Sequence, residues 1–197
     1  ISAVFNETQQ ISHYAAVFTD LSEIRATEAE MMFLSEHDEL THLPNRQLFL
    51  QLVEQALKTA RRDQLFCAVL VLDLDHFKDV NDSYGHRYGD ELLLQVASRL
   101  KQKVRDIDVV ARLGGDEFAI FLPQLTAPED AALMADKLIR SMNQPWLLAN
   151  EYEVTLGASI GICLYPEHAD NTASMLQGAD SALYKAKAQG RNCTVIV

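Results

Sequence analysis

Ile107-Asp-Val-Val-Ala-Arg-Leu-Gly-Gly-Asp-Glu-Phe-Ala-Ile-Phe-Leu122 contains two short apolar stretches, about 107–112 and 117–122, joined through Gly114-Gly115. Paired glycines between two strand-like runs read as a hairpin, because glycine supplies the backbone angles that a tight turn needs. A hairpin is antiparallel by construction, so the sheet that holds it is not wholly parallel. Upstream, Phe66 to Leu72 is a continuous apolar run that stops at Asp73, the pattern of a strand covered on both faces. Helical patterns occupy about 45–61, 76–83, 87–101, 128–142 and 172–188, with short strands near 146–149 and 152–163 and a closing strand at 193–197. Strands and helices alternate, but the hairpin and the late paired strands point to an α/β (α+β) fold. Its central sheet is expected to be mostly antiparallel, with helices outside.

The composition fits one compact domain and a short appendage: 197 residues, 48% hydrophobic and 23% charged. Seventeen basic against 28 acidic residues leave a net charge of −11, which argues against a nucleic-acid partner, whose phosphates call for a positive stripe. A small phosphate ligand is still allowed, because a bound divalent cation reverses the local sign. No apolar run reaches the roughly 18–20 residues of a membrane span, so no membrane contact is expected. The start, Ile1-Ser-Ala-Val-Phe5, lacks both a secretory pattern and an initiator Met, and reads as an excised piece of a larger cytoplasmic protein. Cys67, Cys163 and Cys193 show no C-x-x-C spacing and read as small hydrophobes in a reducing compartment.

Residues 11–19 alternate well enough to be a strand but cannot bury anything alone. Asp20 and Glu23 then read as a capping box opening an acidic helix to about Glu36, with Leu21, Ile24, Met31 and Leu34 on an approximate stripe. A linker helix that pairs with its own copy is one reading, and a helix that packs on the domain is the other.

Three sets of residues carry chemistry. Asp73-Leu-Asp-His-Phe-Lys-Asp-Val-Asn-Asp82 ends a buried strand in carboxylates at the start of a helix, which suits Mg²⁺ and phosphate together. The plain alternative is that Asp73 or Asp75 caps the helix. In Arg112-Leu-Gly-Gly-Asp-Glu-Phe118, two acids follow the turn, and one would face Asp73 across neighbouring strands as a two-metal phosphoryl-transfer site requires. Turn chemistry alone is the alternative. In Tyr184-Lys-Ala-Lys-Ala-Gln-Gly-Arg-Asn192, Lys187 and Arg191 are four apart, so one helical face would present both cations, with Gly190 as the stop. They would neutralise phosphate, or merely complement the helix dipole.

In this order the sets resemble the GGDEF family of diguanylate cyclases, with Gly114-Gly-Asp-Glu-Phe118 as the signature. Supporting matches are Asp38-Glu-Leu-Thr-His-Leu-Pro-Asn-Arg46, Asp73–Lys78 with Asn81, Gly85-His86, Gly89-Asp90, Ser159-Ile-Gly161, and Ala179-Asp180 with Ala182-Leu-Tyr184. His42 departs from the family's usual Gly. The resemblance divides the chain into 1–19, terminal strands like those of a PAS-type sensor, 20–36, a signalling helix, and 37–197, the GGDEF domain.

The resemblance implies a nucleotidyl cyclase or polymerase-palm sheet holding one GTP per domain. Asp73, Asp116 and the Leu74 carbonyl would bind Mg²⁺ (or Mn²⁺). Asn81 and Asp90 would read the guanine edge, since a carboxylate accepts from N1–H and the amino group. Lys78, Lys187 and Arg191 would neutralise phosphates, and Phe77 would line the substrate site. Glu117, Asp116 and Lys78 form the catalytic set, with Glu117 or Asp116 helping to deprotonate the attacking 3′-hydroxyl. The two-fold symmetric product, cyclic di-GMP, requires a homodimer of facing domains. Arg105-Asp-Ile-Asp108 matches the family's R-x-x-D product-binding site, where Arg105 and Asp108 would bind cyclic di-GMP and inhibit synthesis. A surface ion pair is the alternative. The competing function is a non-catalytic module that binds GTP or cyclic di-GMP and regulates a neighbouring domain.

Overall fold

The computed structural model describes residues 2–15, 31, 33–149 and 151–197. They fall into two units, residues 1–35 and 36–197. In the first unit, β1 (Ser2–Phe5) pairs antiparallel with β2 (Ile11–Ala15). Asn6 makes the turn between them, its Oδ1 accepting from the Thr8 and Gln10 N–H groups, as short polar side chains do in turns. Residues 16–19 of the expected strand and the Asp20 capping box lie outside the described residues. So does most of the 20–36 helix, of which residues 33–36 are helical.

The second unit runs α1 (Arg46–Asp63), β3 (Phe66–Leu74), α2 (Phe77–Tyr84), α3 (His86–Lys103), β4 (Val109–Gly114), β5 (Glu117–Leu125) and α4 (Glu129–Met142). Then follow β6 (Trp146–Leu148), β7 (Tyr152–Val154), β8 (Ala158–Tyr165), α5 (Thr172–Ala188) and β9 (Thr194–Ile196). The main sheet has the order β4-β5-β3-β8-β9. Its first three pairings are antiparallel, and only β8–β9 is parallel.

Central β3 has an unbroken apolar sequence because both of its faces are covered. Leu70, Leu72 and Leu74 join one core with Leu92, Val96 and Leu100 of α3 and Leu138 and Met142 of α4. Cys67, Val69 and Val71 join the other, with Phe49 and Val53 of α1 and Met175, Ala179 and Leu183 of α5. Strict alternation along a strand therefore sends Asp73 to the α1/α5 side. Gly161 lets α5 lie directly on β8: a Cβ there would run into the Ala179 carbonyl and the Leu183 amide. The cysteines are free thiols, two of them buried.

The expected strand 152–163 is two strands. β7 pairs with β6 in a separate two-stranded ribbon, while β8 enters the main sheet, so residues 155–157 carry the chain from one to the other. Neither Asp73 nor Asp75 caps α2: the N-cap is His76, at φ +65°, with no side-chain cap bond. His42, the departure from the family pattern, has φ +56°. That left-handed region favours glycine, which explains the family's usual residue there. Among the described residues no helix is long and apolar enough to cross a membrane.

Candidate active site

The site lies at the end of β3, where its neighbours deliver charge. Asp73 is the register partner of Glu117 on one side and Ser159 on the other, and directly opposed residues project to the same face. The turn before Glu117 uses Gly114 at φ +140° and Gly115 at φ +54°, which only glycine adopts without strain. Behind it, the Leu74 N–H donates to the Asp116 carbonyl at 3.3 Å, tying the metal-ligand candidates Asp116 and Leu74 to one strand end. From α5, Lys187 Nζ pairs with Asp73 Oδ2 at 2.6 Å.

Asp73 is 7% exposed, and its carboxyl is pushed up to about 6. Burial is the largest cause. The Lys187 bond opposes it, and the charges of Asp116 and then Glu117 add to it. Three acids therefore share a region with one ammonium, and the group at the centre holds its charge at a cost. Among the described residues, no three His, Cys, Asp or Glu side chains are grouped to hold a metal by themselves. Mg²⁺ does not need them: it takes one or two carboxylates and completes its shell with water and substrate phosphate. Two carboxylates and a main-chain carbonyl, all hard oxygen donors at an acid-rich strand end, fit Mg²⁺ or Mn²⁺.

Asn81 on α2 lies against Gly89 of α3, the residue before Asp90, where the two helices approach closely. A Cβ on Gly89 would strike Asn81 Oδ1 and crowd the Phe77 ring. Phe77, expected to line the substrate site, is buried in the core beside Gly89 rather than presenting a face to a nucleotide. Lys78 is exposed in the first turn of α2. The expectation of one helical face for both α5 cations is corrected. α5 ends at Ala188, and Arg191 lies beyond it in a turn at φ +65°. Lys187 reaches the acids from the helix, whereas Arg191 is presented by a loop.

Two roles had no signal in local sequence. Arg112 Nη1 bonds both Asp38 oxygens at 2.9 and 3.1 Å, while Nε and Nη2 donate to the Gly115 carbonyl at 3.0 and 2.8 Å. Asp38 also accepts from the Thr41 N–H and hydroxyl. This holds its carboxyl below the ordinary value against the opposing effect of burial. The signature turn is thus braced to a residue 74 positions earlier, too far apart to read from spacing.

At the opposite end of the β4–β5 pair, Arg105 and Asp108 meet. Asp108 Oδ1 accepts from Arg105 Nε and Nη2 at 3.1 and 2.8 Å, and Oδ2 from the Arg105 N–H at 2.8 Å. Arg105 Nη2 also donates to the Pro123 carbonyl at 3.1 Å. The Asp108 side chain is fully shielded, while that of Arg105 is 47% exposed. In this conformation a ligand meets Arg105 and not the Asp108 carboxyl.

An acid-tipped, largely antiparallel sheet with helices on both faces is the palm-type arrangement of nucleotidyl cyclases and polymerases. Residues 35–193 match the family described as diguanylate cyclase, GGDEF domain, and the chain belongs to that family. MucR of Pseudomonas aeruginosa, a bifunctional diguanylate cyclase/cyclic di-GMP phosphodiesterase, is 48% identical over 163 residues, 83% of this chain but 24% of MucR. The diguanylate cyclase TpbB of the same organism is 45% identical over 163 residues, 83% of this chain and 38% of TpbB. The solved GGDEF domain of TpbB has a TM-score of 0.79 at 45% identity, over 81% of this chain and 93% of that one. DgcB of Caulobacter crescentus, solved as coiled coil and GGDEF domain with c-di-GMP, gives 0.81 at 27% identity, over 90% and 93%.

Proposed function

We propose that this chain is a diguanylate cyclase domain that condenses two GTP into cyclic di-GMP and two pyrophosphates. The observation that carries it is Asp73, buried with one ammonium among three acids and raised to about 6. A divalent cation, when bound, supplies neutralisation of phosphate charge and acidifies a coordinated hydroxyl. Asp73, Asp116 and the Leu74 carbonyl hold that cation. Asn81 and Asp90 hold the guanine edge, and Lys78, Lys187 and Arg191 lie against the phosphates. The 3′-oxygen of one GTP bonds to the α-phosphorus of the other as the bond to pyrophosphate breaks. The 3′-proton passes to Glu117, or to Asp116 beside the cation. Two such steps close the ring, so two domains face each other, each with one nucleotide. The exposed Arg105 side chain supports a product site: Asp108 and Pro123 engage Nε and Nη2, and among the described residues nothing accepts from Nη1.

Incubation with GTP and Mg²⁺ followed by mass spectrometry should give cyclic di-GMP and pyrophosphate, with specific activity rising as protein concentration rises. GTP that binds yet stays intact up to high micromolar protein would replace this reading with a non-catalytic, ligand-binding module.

A further inference from the structure

Asp75 is the buried acid that the mechanism above leaves unused. It is 4% exposed, two residues past Asp73 and on the same side of the chain. Its Oδ1 accepts from the Ser159 hydroxyl at 2.8 Å, and its Oδ2 accepts from the Asn192 N–H at 2.9 Å. Its own N–H donates to the Gly157 carbonyl at 3.0 Å. Among the described residues no cation pairs with it. Both oxygens are therefore spent on holding chain segments, one on β8 and one on the turn after α5.

That turn needs holding. Arg191 and Asn192 both adopt left-handed backbone, at φ +65° and +48°, a conformation disfavoured for a residue such as Arg191, though asparagine tolerates it better. A run of two persists only where its surroundings over-determine it. The Asn192 side chain is seated against Gly157, where a Cβ would meet it at 2.9 Å. Next along, the Cys193 carbonyl accepts from the Ile160 N–H. The Gly190 and Arg191 amides donate to the Lys187 and Ala186 carbonyls, and among the described residues the only side-chain acceptor for this turn's amides is Asp75.

We infer that Asp75 is a positioning residue: by bonding the Asn192 amide while anchored to Ser159, it fixes the 190–192 turn that presents Arg191 to the phosphate end of the site. This rests on the proposed GTP site, with the guanine end held separately by α2 and α3. Asp75 touches neither nucleotide nor cation. It sets where one phosphate-binding cation stands relative to Asp73.

Two measurements test this, the first free of any ligand. In Asp75→Ala, hydrogen exchange of the Asn192 amide should speed up at least tenfold while the amides of β3 stay protected. Unchanged protection at Asn192 overturns the inference, and so does loss of protection throughout β3. The second measurement is calorimetric titration with GTP and with GMP, at protein concentrations that keep turnover negligible. Wild type should prefer GTP, and Asp75→Ala should lose about tenfold in GTP affinity, the scale of one hydrogen bond to a charged group, with GMP affinity unchanged. Asp75→Asn should restore most of the GTP affinity, because its Oδ1 accepts from the Asn192 N–H while its Nδ2 donates to the Ser159 oxygen. A full GTP preference in Asp75→Ala, or no rescue by Asn, overturns the positioning role. Wild type without any preference for GTP overturns the substrate assignment instead, and the exchange experiment then decides the role of Asp75 alone.

Discussion

Two ion pairs at opposite ends of the main sheet, Asp73–Lys187 and Arg105–Asp108, use the same chemistry to different ends. Each sets a shielded carboxyl against a partly exposed cation, with side-chain exposures of 10% against 33% in the first and 0% against 47% in the second. Among the described residues every hydrogen-bond partner of the Asp108 carboxyl is a donor: two guanidinium nitrogens and a main-chain N–H. Arg105 is in turn held more tightly protonated, chiefly by the Asp108 bond. Around Asp73 the donor is a single ammonium, and two further acids oppose it. Burial is common to both. What separates a structural pair from a reactive site is whether the surroundings satisfy the charge or leave it needing a cation.

The sharpest way to test this contrast is to remove charge from the strained end. Asp116→Asn keeps the size but halves the carboxylates offered to a metal, so turnover should fall by on the order of a hundredfold or more. The melting temperature should shift little, because this acid sits at an open turn. Turnover within a few-fold of wild type, measured as pyrophosphate release, would show that Asp116 does not hold the cation.

At the satisfied end, the same kind of surgery should damage the fold. Arg105→Ala strands a shielded carboxyl with one main-chain donor, and a loss of about 2–3 kcal/mol in stability is expected. Cyclic di-GMP should also bind this variant more weakly. Urea unfolding and product titration read the two effects separately. A variant as stable as wild type would mean that Asp108 finds other partners and that the pair is not structural.

At Asp73 the effect on stability carries the opposite sign. The folded chain holds a proton on Asp73 more tightly than the unfolded chain does, since the carboxyl is raised from 3.8 to about 6. Its contribution to stability is therefore complete below about pH 4 and is lost as pH rises through about 6. Asp73→Asn should flatten that slope and, above pH 6, raise stability by roughly 1–3 kcal/mol while abolishing Mg²⁺-dependent activity. Melting curves of both proteins from pH 4 to pH 8 test this. If the variant melts well below wild type at pH 8, the Lys187 pair stabilises the fold outright, and the contrast between the two ends collapses.

Much of this was legible in the chain itself. The Phe66–Leu72 run announces a strand covered on both faces, and the structure extends it to Leu74 with helices on each side. Gly114-Gly115 announces a turn, and both residues take positive φ. Spacing failed where contacts are long-range. Lys187 and Arg191 look like one helical face, but the helix stops first and only Lys187 stays on it. The resemblance puts Phe77 in the substrate site, yet helix packing buries it in the core.

By itself the sequence determined the family, the order of the elements and the residue types at the site, because hydrophobic period, glycine turns and motif spacing are local properties. Which helices cover each face of β3, and so that Asp73 lies on the α1/α5 side, came from the packing. Only the tertiary structure decided that Asp73 is raised to about 6, that Arg112 joins Asp38 to the Gly115 carbonyl, and that Asp75 anchors the turn carrying Arg191. Those facts come from burial and from partners 74 to 117 residues apart. A charge's energy depends on what surrounds it in space, and the order of residues along a chain does not specify that.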